Sequence, residues 1–235
     1  MIFQAVELTR LVIILVMHTF ISLFLYYLSF KILKRNFNRI TLTLSLFYIL
    51  PGSGFLLSII FLLFSKNLIG YIIYLTAAFI ILFGFIFLIL SIKNIVNIDS
   101  DLSLKKDYII IFVYGISIFF LFCIPGAITI NENTKWVPLF SWQFLIYIYL
   151  FFTITIFMPT LILSIKLYNT FEDKRLKRKL KFFFIGIIGM FIAFYGLILY
   201  NTWHDPFFRT IWAFIVFLIV VPSGFLIYYG IGQNI

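Results

Sequence analysis

The sequence predicts an all-α, polytopic membrane protein: a seven-transmembrane-helix bundle with its N-terminus outside the cell and its C-terminus cytoplasmic. Seven long stretches free of Asp, Glu, Lys and Arg, a basic bias in alternate loops, and tryptophans gathered at one set of helix ends predict it. The composition agrees, with 64% of residues hydrophobic and 11% charged, against roughly 25% charged in soluble domains. Mean hydropathy is +1.16. Aromatics make up 22%, more apolar surface than a water-soluble body of 235 residues can bury. A net charge of +10 in a soluble protein would point to nucleic acid. Here the cations fall in loops at helix ends, so no nucleic-acid partner is expected and the bilayer is the primary one.

The uncharged runs are Leu11–Phe30, Ile40–Ser65, Asn67–Ile92, Tyr108–Asn131, Trp136–Ile165, Phe182–His204 and Thr210–Ile235. They place spans at about 11–32, 40–64, 68–92, 108–130, 142–165, 182–203 and 210–231, within a single domain covering residues 1–235. Each is continuous in Leu, Ile and Phe and far longer than the ~10 alternating residues of a barrel strand. Helices also satisfy their own backbone hydrogen bonds, as hydrocarbon demands. The first run is too long for a signal-peptide core and no small-x-small cleavage site follows it. Glu7 precedes it and Lys31, Lys34, Arg35 and Arg39 follow, the charge order of an uncleaved first helix with its N-terminus outside.

The second span contains Pro51-Gly52-Ser53-Gly54. One reading is an unwound helix lining a substrate site, as in transporters; a kink with small residues that let helices pack closely is simpler and preferred. Pro125-Gly126, Pro159, Gly186, Gly189, Pro222 and Gly224 read the same way. Pro51–Leu56 is echoed by Pro222-Ser223-Gly224-Phe225-Leu226, a short match better attributed to chance than to an inverted repeat. The lone Cys123 reads as a small hydrophobe.

Loops on the expected inner side hold Lys31, Lys34, Arg35, Arg39, Lys93, Lys105, Lys106, Lys166, Lys174, Arg175, Lys177, Arg178, Lys179 and Lys181. Only Arg10, Lys66, Lys135 and Arg209 fall outside, the asymmetry of the positive-inside rule. Trp136, Trp142, Trp203 and Trp212 lie at outer span ends, where an amphipathic ring suits the interface.

Candidate binding residues follow from polarity in apolar surroundings. His18 is the one ionisable residue well inside a span, read as a neutral imidazole bonded to a neighbouring helix or as a ligand contact. Trp136, Trp142, Gln143, Trp203, His204, Asp205 and Arg209, beside Lys135, are the richest outer polar grouping. They form either the mouth of a small-molecule site or two interfacial loops with a solvated Asp205/Arg209 pair. Lys174, Arg175, Lys177, Arg178, Lys179 and Lys181 suit anionic lipid or a cytoplasmic partner. No metal-spaced His/Cys cluster, phosphate-binding glycine loop or Ser/His/Asp pattern occurs, so neither an enzyme, a metal nor a cofactor is expected. The spans carry no carboxylate, which argues against ion-coupled transport, and the seventh carries no Lys for a retinal.

Arg35-Asn36-Phe37-Asn38-Arg39 leads into the second span. The basic run through Lys181 enters the sixth span at Phe184-Ile185-Gly186-Ile187-Ile188-Gly189, and the seventh closes on Tyr229-Gly230-Ile231-Gly232. With the seven-span plan, this resembles the N-terminal seven-helix sensing region of bacterial and archaeal sensor histidine kinases. The resemblance implies a module at the cell membrane that detects a small ligand or membrane state. Because no kinase domain follows in the sequence, it implies output through a separate cytoplasmic signalling protein. The alternative is a small seven-span transporter of an uncharged solute, comparable to SWEET-type sugar carriers but without the Pro-Gln dipeptide of their relatives. An accessory subunit of another membrane complex is a third, structural reading.

Overall fold

A computed structural model describes residues 2–96 and 104–232, with side chains described from residue 15 onward. Glu7, Arg10 and the end of the seventh uncharged run at 233–235 lie outside the described side chains. Among the described residues eight α-helices form, α1 Ile2–Arg35, α2 Arg39–Phe64, α3 Leu68–Val96, α4 Leu104–Phe122, α5 Trp142–Phe152, α6 Met158–Thr170, α7 Lys174–Thr202 and α8 Pro206–Ile227. A π-helical turn, Thr153–Phe157, joins α5 and α6 into one rod, and a second, Tyr228–Gly232, extends α8. Pro159 lacks an N–H and follows the first π turn closely. The hydrogen bond there shifts register, with Met158 N–H donating to Thr153 O. Among the described residues six rods are long and apolar enough to cross a membrane: 15–35 of α1, α2, α3, α5 through α6, α7, and α8 through Gly232.

Local chemistry sets the ends. The Asn38 side chain caps α2 by accepting from Thr41 N–H at 2.9 Å, and the Thr41 hydroxyl returns the favour to Asn38 N–H at 2.9 Å. Ser141, Asp173 and Asp205 cap α5, α7 and α8 in the same manner. Pro206 opens α8 where a missing donor is harmless.

The disfavoured unwound reading of the second span falls, since residues 51–54 stay helical. The Pro51 ring is received by Gly84 of α3, where a Cβ would meet Pro51 Cδ at 2.7 Å. Gly54 likewise lets α3 approach, since a Cβ there would meet Ala77 O at 2.8 Å. Gly52 faces Leu25 and Ser22 of α1, and Ser22 Oγ donates to Gly52 O at 2.8 Å. The motif is a packing seam.

The fourth run, expected to be a span over 108–130, is helical only to Phe122. Its apolar part from Tyr108 covers about 22 Å at 1.5 Å per residue, short of a hydrocarbon core of about 30 Å. Pro125 and Gly126, the latter at φ +71°, turn the chain into a loop. There Ile128–Thr129 (β1) pairs antiparallel with Leu139–Phe140 (β2). Ala127 and Ile128 are buried, and Ser141 N–H donates to Ala127 O at 3.0 Å. Such irregular backbone survives beside lipid when it is packed within protein and paired.

α2 packs between α1 and α3; α3 also touches α4 and α6; α8 lies against α7 and α1. Gly186 and Gly189 of α7 meet Ser223 of α8, where a side chain at Gly186 would strike Ser223 O at 2.7 Å. Tyr48 Oη donates to Gly224 O at 2.9 Å, tying α2 to α8. At mid-height the phenylalanines of α3, α5 and α7 fill the centre. Phe85 lies 4.9 Å from Phe152 and 5.3 Å from Phe194, ring centroid to centroid. The outside is equally apolar, with Leu63, Phe30, Phe120 and Leu218 among many exposed side chains. A rim of that kind belongs in lipid.

Candidate functional site

A cavity of about 300 Å³ opens between α1, α2, α3, α5, α7 and α8, at the end where the β1–β2 loop crosses the bundle. Its walls are overwhelmingly apolar. Phe55, Ile81, Leu82, Phe144, Ile148 and Phe194 are among the apolar residues that line it. That volume lies at the small end of pockets that enclose organic ligands.

His18 lines it from α1 and Ser58 from α2. Their Nδ1 and Oγ lie 2.7 Å apart, and Ser58 Oγ also donates to Phe55 O at 2.6 Å. The hydroxyl has one proton, so while it bonds that carbonyl it can only accept from His18, in the tautomer that carries Nδ1–H. That tautomer leaves Nε2 as an acceptor. Phe55 packs edge-on to the ring at 5.1 Å. Tyr74, Tyr200 and Asn201 add polar atoms to the wall, and Asn201 Nδ2 is anchored on Leu197 O at 3.1 Å.

The loop closing this end holds Lys135-Trp136-Val137-Pro138 against the cavity. Lys135 and Trp136 occupy the left-handed region, at φ 52° and 60°. Two consecutive residues with side chains there carry strain of about 1–2 kcal/mol each. Trp136 N–H donating to Asn131 O at 2.9 Å and Lys135 N–H to Glu132 O at 2.9 Å hold the turn.

Of the residues expected at a mouth, His18 and Trp136 line the cavity. Trp142 is 57% exposed at the start of α5, and Gln143 beside it is also exposed. Asp205 is occupied as the α8 cap, accepting from Phe208 N–H at 2.6 Å. Arg209 is not solvated: at 5% exposure its Nε donates to Tyr200 O at 2.9 Å and its guanidinium covers the Tyr200 ring. It therefore braces a wall residue from behind. Trp203 stacks on Phe208, which stacks on the wall residue Trp212. His204 is exposed, and partial desolvation, with the Arg209 charge second, holds its pKa below the usual value.

Sequence reasoning missed Ser58, Tyr74, Tyr200 and Asn201. Hydroxyls and amides are unremarkable in an apolar run, and only the His18 contact gives Ser58 its meaning. It also missed Asp107. This buried carboxylate, at the basic end of the bundle, bridges Arg39 at 2.6 Å and Lys93 at 2.7 Å. It thereby joins the ends of α2, α3 and α4.

Pro125 and Gly126 form the turn below α4, while Gly186, Gly189 and Gly224 lie in helix seams and Pro222 is exposed on α8. Lys174, Arg175, Lys177, Arg178, Lys179 and Lys181 occupy the first turns of α7. Lys177 sits over Tyr168 and Lys179 over Tyr229.

Fold and site together define a polytopic helical membrane protein with an internal, mostly apolar cavity near one end. No protein family, no curated protein and no solved structure matches the chain. Its function is therefore argued from its own geometry.

Proposed function

We propose that the chain is a non-catalytic, receptor-like module of the cell membrane. It spans seven times, with α4 and the β1–β2 loop together making the fourth crossing, N-terminus outside and C-terminus cytoplasmic. Its cavity receives a small, largely apolar molecule, and occupancy is passed to a separate cytoplasmic signalling partner. The carrying observation is the cavity itself: largely apolar walls that include the His18 imidazole, bonded through Nδ1 to Ser58. Such a wall suits a mostly apolar ligand whose few polar groups match His18, Ser58, Tyr74, Tyr200 or Asn201, because an unmatched buried polar group is costly. The strained Lys135-Trp136 turn against the cavity supports a signalling role, since a ligand that relieves or redirects it favours one loop conformation over another. The charge asymmetry of the loops and the resemblance to sensor-kinase seven-helix regions support the topology and the class.

The test is thermal unfolding of the detergent-purified protein against a panel of small alcohols, phenols and amides of rising apolar area. The reading expects a subset to raise the midpoint in wild type but not in His18→Phe. A panel that shifts both proteins equally, or neither, contradicts it. Transport of such a molecule is the second reading, favoured by the central phenylalanines and the Asp107 ion pairs that close the far end of the bundle. Uptake into proteoliposomes that is abolished by His18→Phe would move the assignment to transport.

A further inference from the structure

At the opposite, basic end a second concavity lies between α7 and α8, with a volume of about 590 Å³. Arg175, Arg178, Lys179 and Phe182 line it from α7, a spacing that puts them on one helix face. Phe225, Leu226 and Tyr229 line it from α8 and its π-helical extension. Polarity is graded along the groove. The three cations occupy the first turns of α7, and Phe182 packs edge-on against Tyr229, which stacks on Phe225, deeper along the helices. Lys179 bridges the zones, its ammonium 5.7 Å from the Tyr229 ring centroid.

The electrostatics call for an anion. α7 begins here, so the positive end of its dipole adds to the side-chain charge, and no acidic residue lies in its first turn. Glu172 and Asp173, which caps Arg175 N–H at 2.7 Å, bring two negative charges against the six cations of these turns, Lys174, Arg175, Lys177, Arg178, Lys179 and Lys181. Cations at a helix N-terminus are self-unfavourable, and the face that gathers three of them continues into exposed aromatic surface with Phe225 51% exposed. A soluble anion would satisfy the charge and leave the aromatic floor to water. An amphiphile satisfies both.

We propose that this groove is a binding site for one acidic phospholipid of the bilayer. The phosphate sits among Arg175, Arg178 and Lys179, and the first part of an acyl chain lies along Phe182, Phe225 and Tyr229. Bidentate arginine suits phosphate oxygens better than lysine alone. Unlike Lys174, Lys177 and Lys181, which share the same helix turns, the three groove cations converge with the aromatic floor. A site of this sort would pin the end of α7 to the rod it packs on whether or not the outer cavity is filled.

The test is native mass spectrometry of full-length protein extracted from vesicles of mixed phosphatidylglycerol and phosphatidylcholine. Wild type is expected to retain one phosphatidylglycerol. Arg175→Gln/Arg178→Gln/Lys179→Gln should weaken retention roughly a hundredfold, at about fivefold per basic residue near an acidic surface. Lys174→Gln/Lys177→Gln/Lys181→Gln removes equal charge outside the groove and should weaken it less than tenfold. Phe225→Ser, which keeps every cation, should also weaken retention. Equal loss in the two triple variants means diffuse attraction and overturns the site. Retention unchanged in the groove variant overturns it too, as does displacement of the lipid by equimolar glycerol 3-phosphate, which would mark a free-anion site. Size-exclusion profiles matching wild type establish that each variant is folded.

Discussion

His18 brings an imidazole to a largely apolar cavity wall, and its Nδ1 bond to Ser58 holds the ring in place. Ser58→Ala removes the constraint without changing the cavity walls much. Affinity for a donor-bearing ligand should fall about three- to tenfold, the worth of about one neutral hydrogen bond, measured by titration of the purified protein. Ala78→Phe fills space at the wall and should abolish the ligand-induced rise in unfolding midpoint while leaving the unliganded protein folded. His18 was legible in the sequence because an imidazole deep in an apolar run is expensive and so stands out. Trp136 was legible as a belt aromatic. Ser58, Tyr200 and Asn201 were not, since a polar atom in a span gains meaning only from what the neighbouring helix puts opposite it. Arg209 was read as a ligand contact or half of a solvated pair, yet near the start of α8 it is buried and bonds Tyr200 of α7.

Among the elements, α2 and α3 pack most intimately, and glycines set their distance. Gly54→Val would drive its side chain into Ala77 O and Ile81, so the unfolding midpoint should drop by the equivalent of about 1–3 kcal/mol. Gly52→Ala, whose added methyl meets neighbours at ordinary contact distance of 3.5 Å, should change it little. Asp107 holds three helix ends through two cations. Asp107→Asn should cost about 1–3 kcal/mol, below the value for a fully buried pair because Arg39 and Lys93 keep some exposure. In a double-variant cycle with Lys93→Met, the combined loss should be smaller than the sum of the single losses. Six of the seven expected spans were readable as runs of uncharged residues; the caps at Asn38 and Asp205 and two further features were not. Pro51 left an unwound and a packed reading open, and only Gly84, on a distant stretch of chain, gives its ring room. The fourth run looked helical to its end because apolar residues suit either a span or a buried loop, and only the pairing of Ile128 with Phe140 separates them.

For the whole molecule, the placement of charge and of the cavity has to agree with its side in the membrane. The basic residues cluster at the end that carries Asp107 and the start of α7, and the cavity lies at the other end under the β1–β2 loop. A receptor-like role requires the cavity end to face outward, and the seven-span reading requires the β1–β2 loop and the start of α7 to lie on opposite sides. Cysteine labelling decides both at once. In a Cys123→Ala background, Lys135→Cys and Arg178→Cys would each be exposed to a membrane-impermeant maleimide on intact cells and again after permeabilisation. The account predicts that Lys135→Cys reacts on intact cells and Arg178→Cys only after permeabilisation. Reaction of both before permeabilisation, or of Arg178→Cys alone, would contradict the topology and the outward cavity with it.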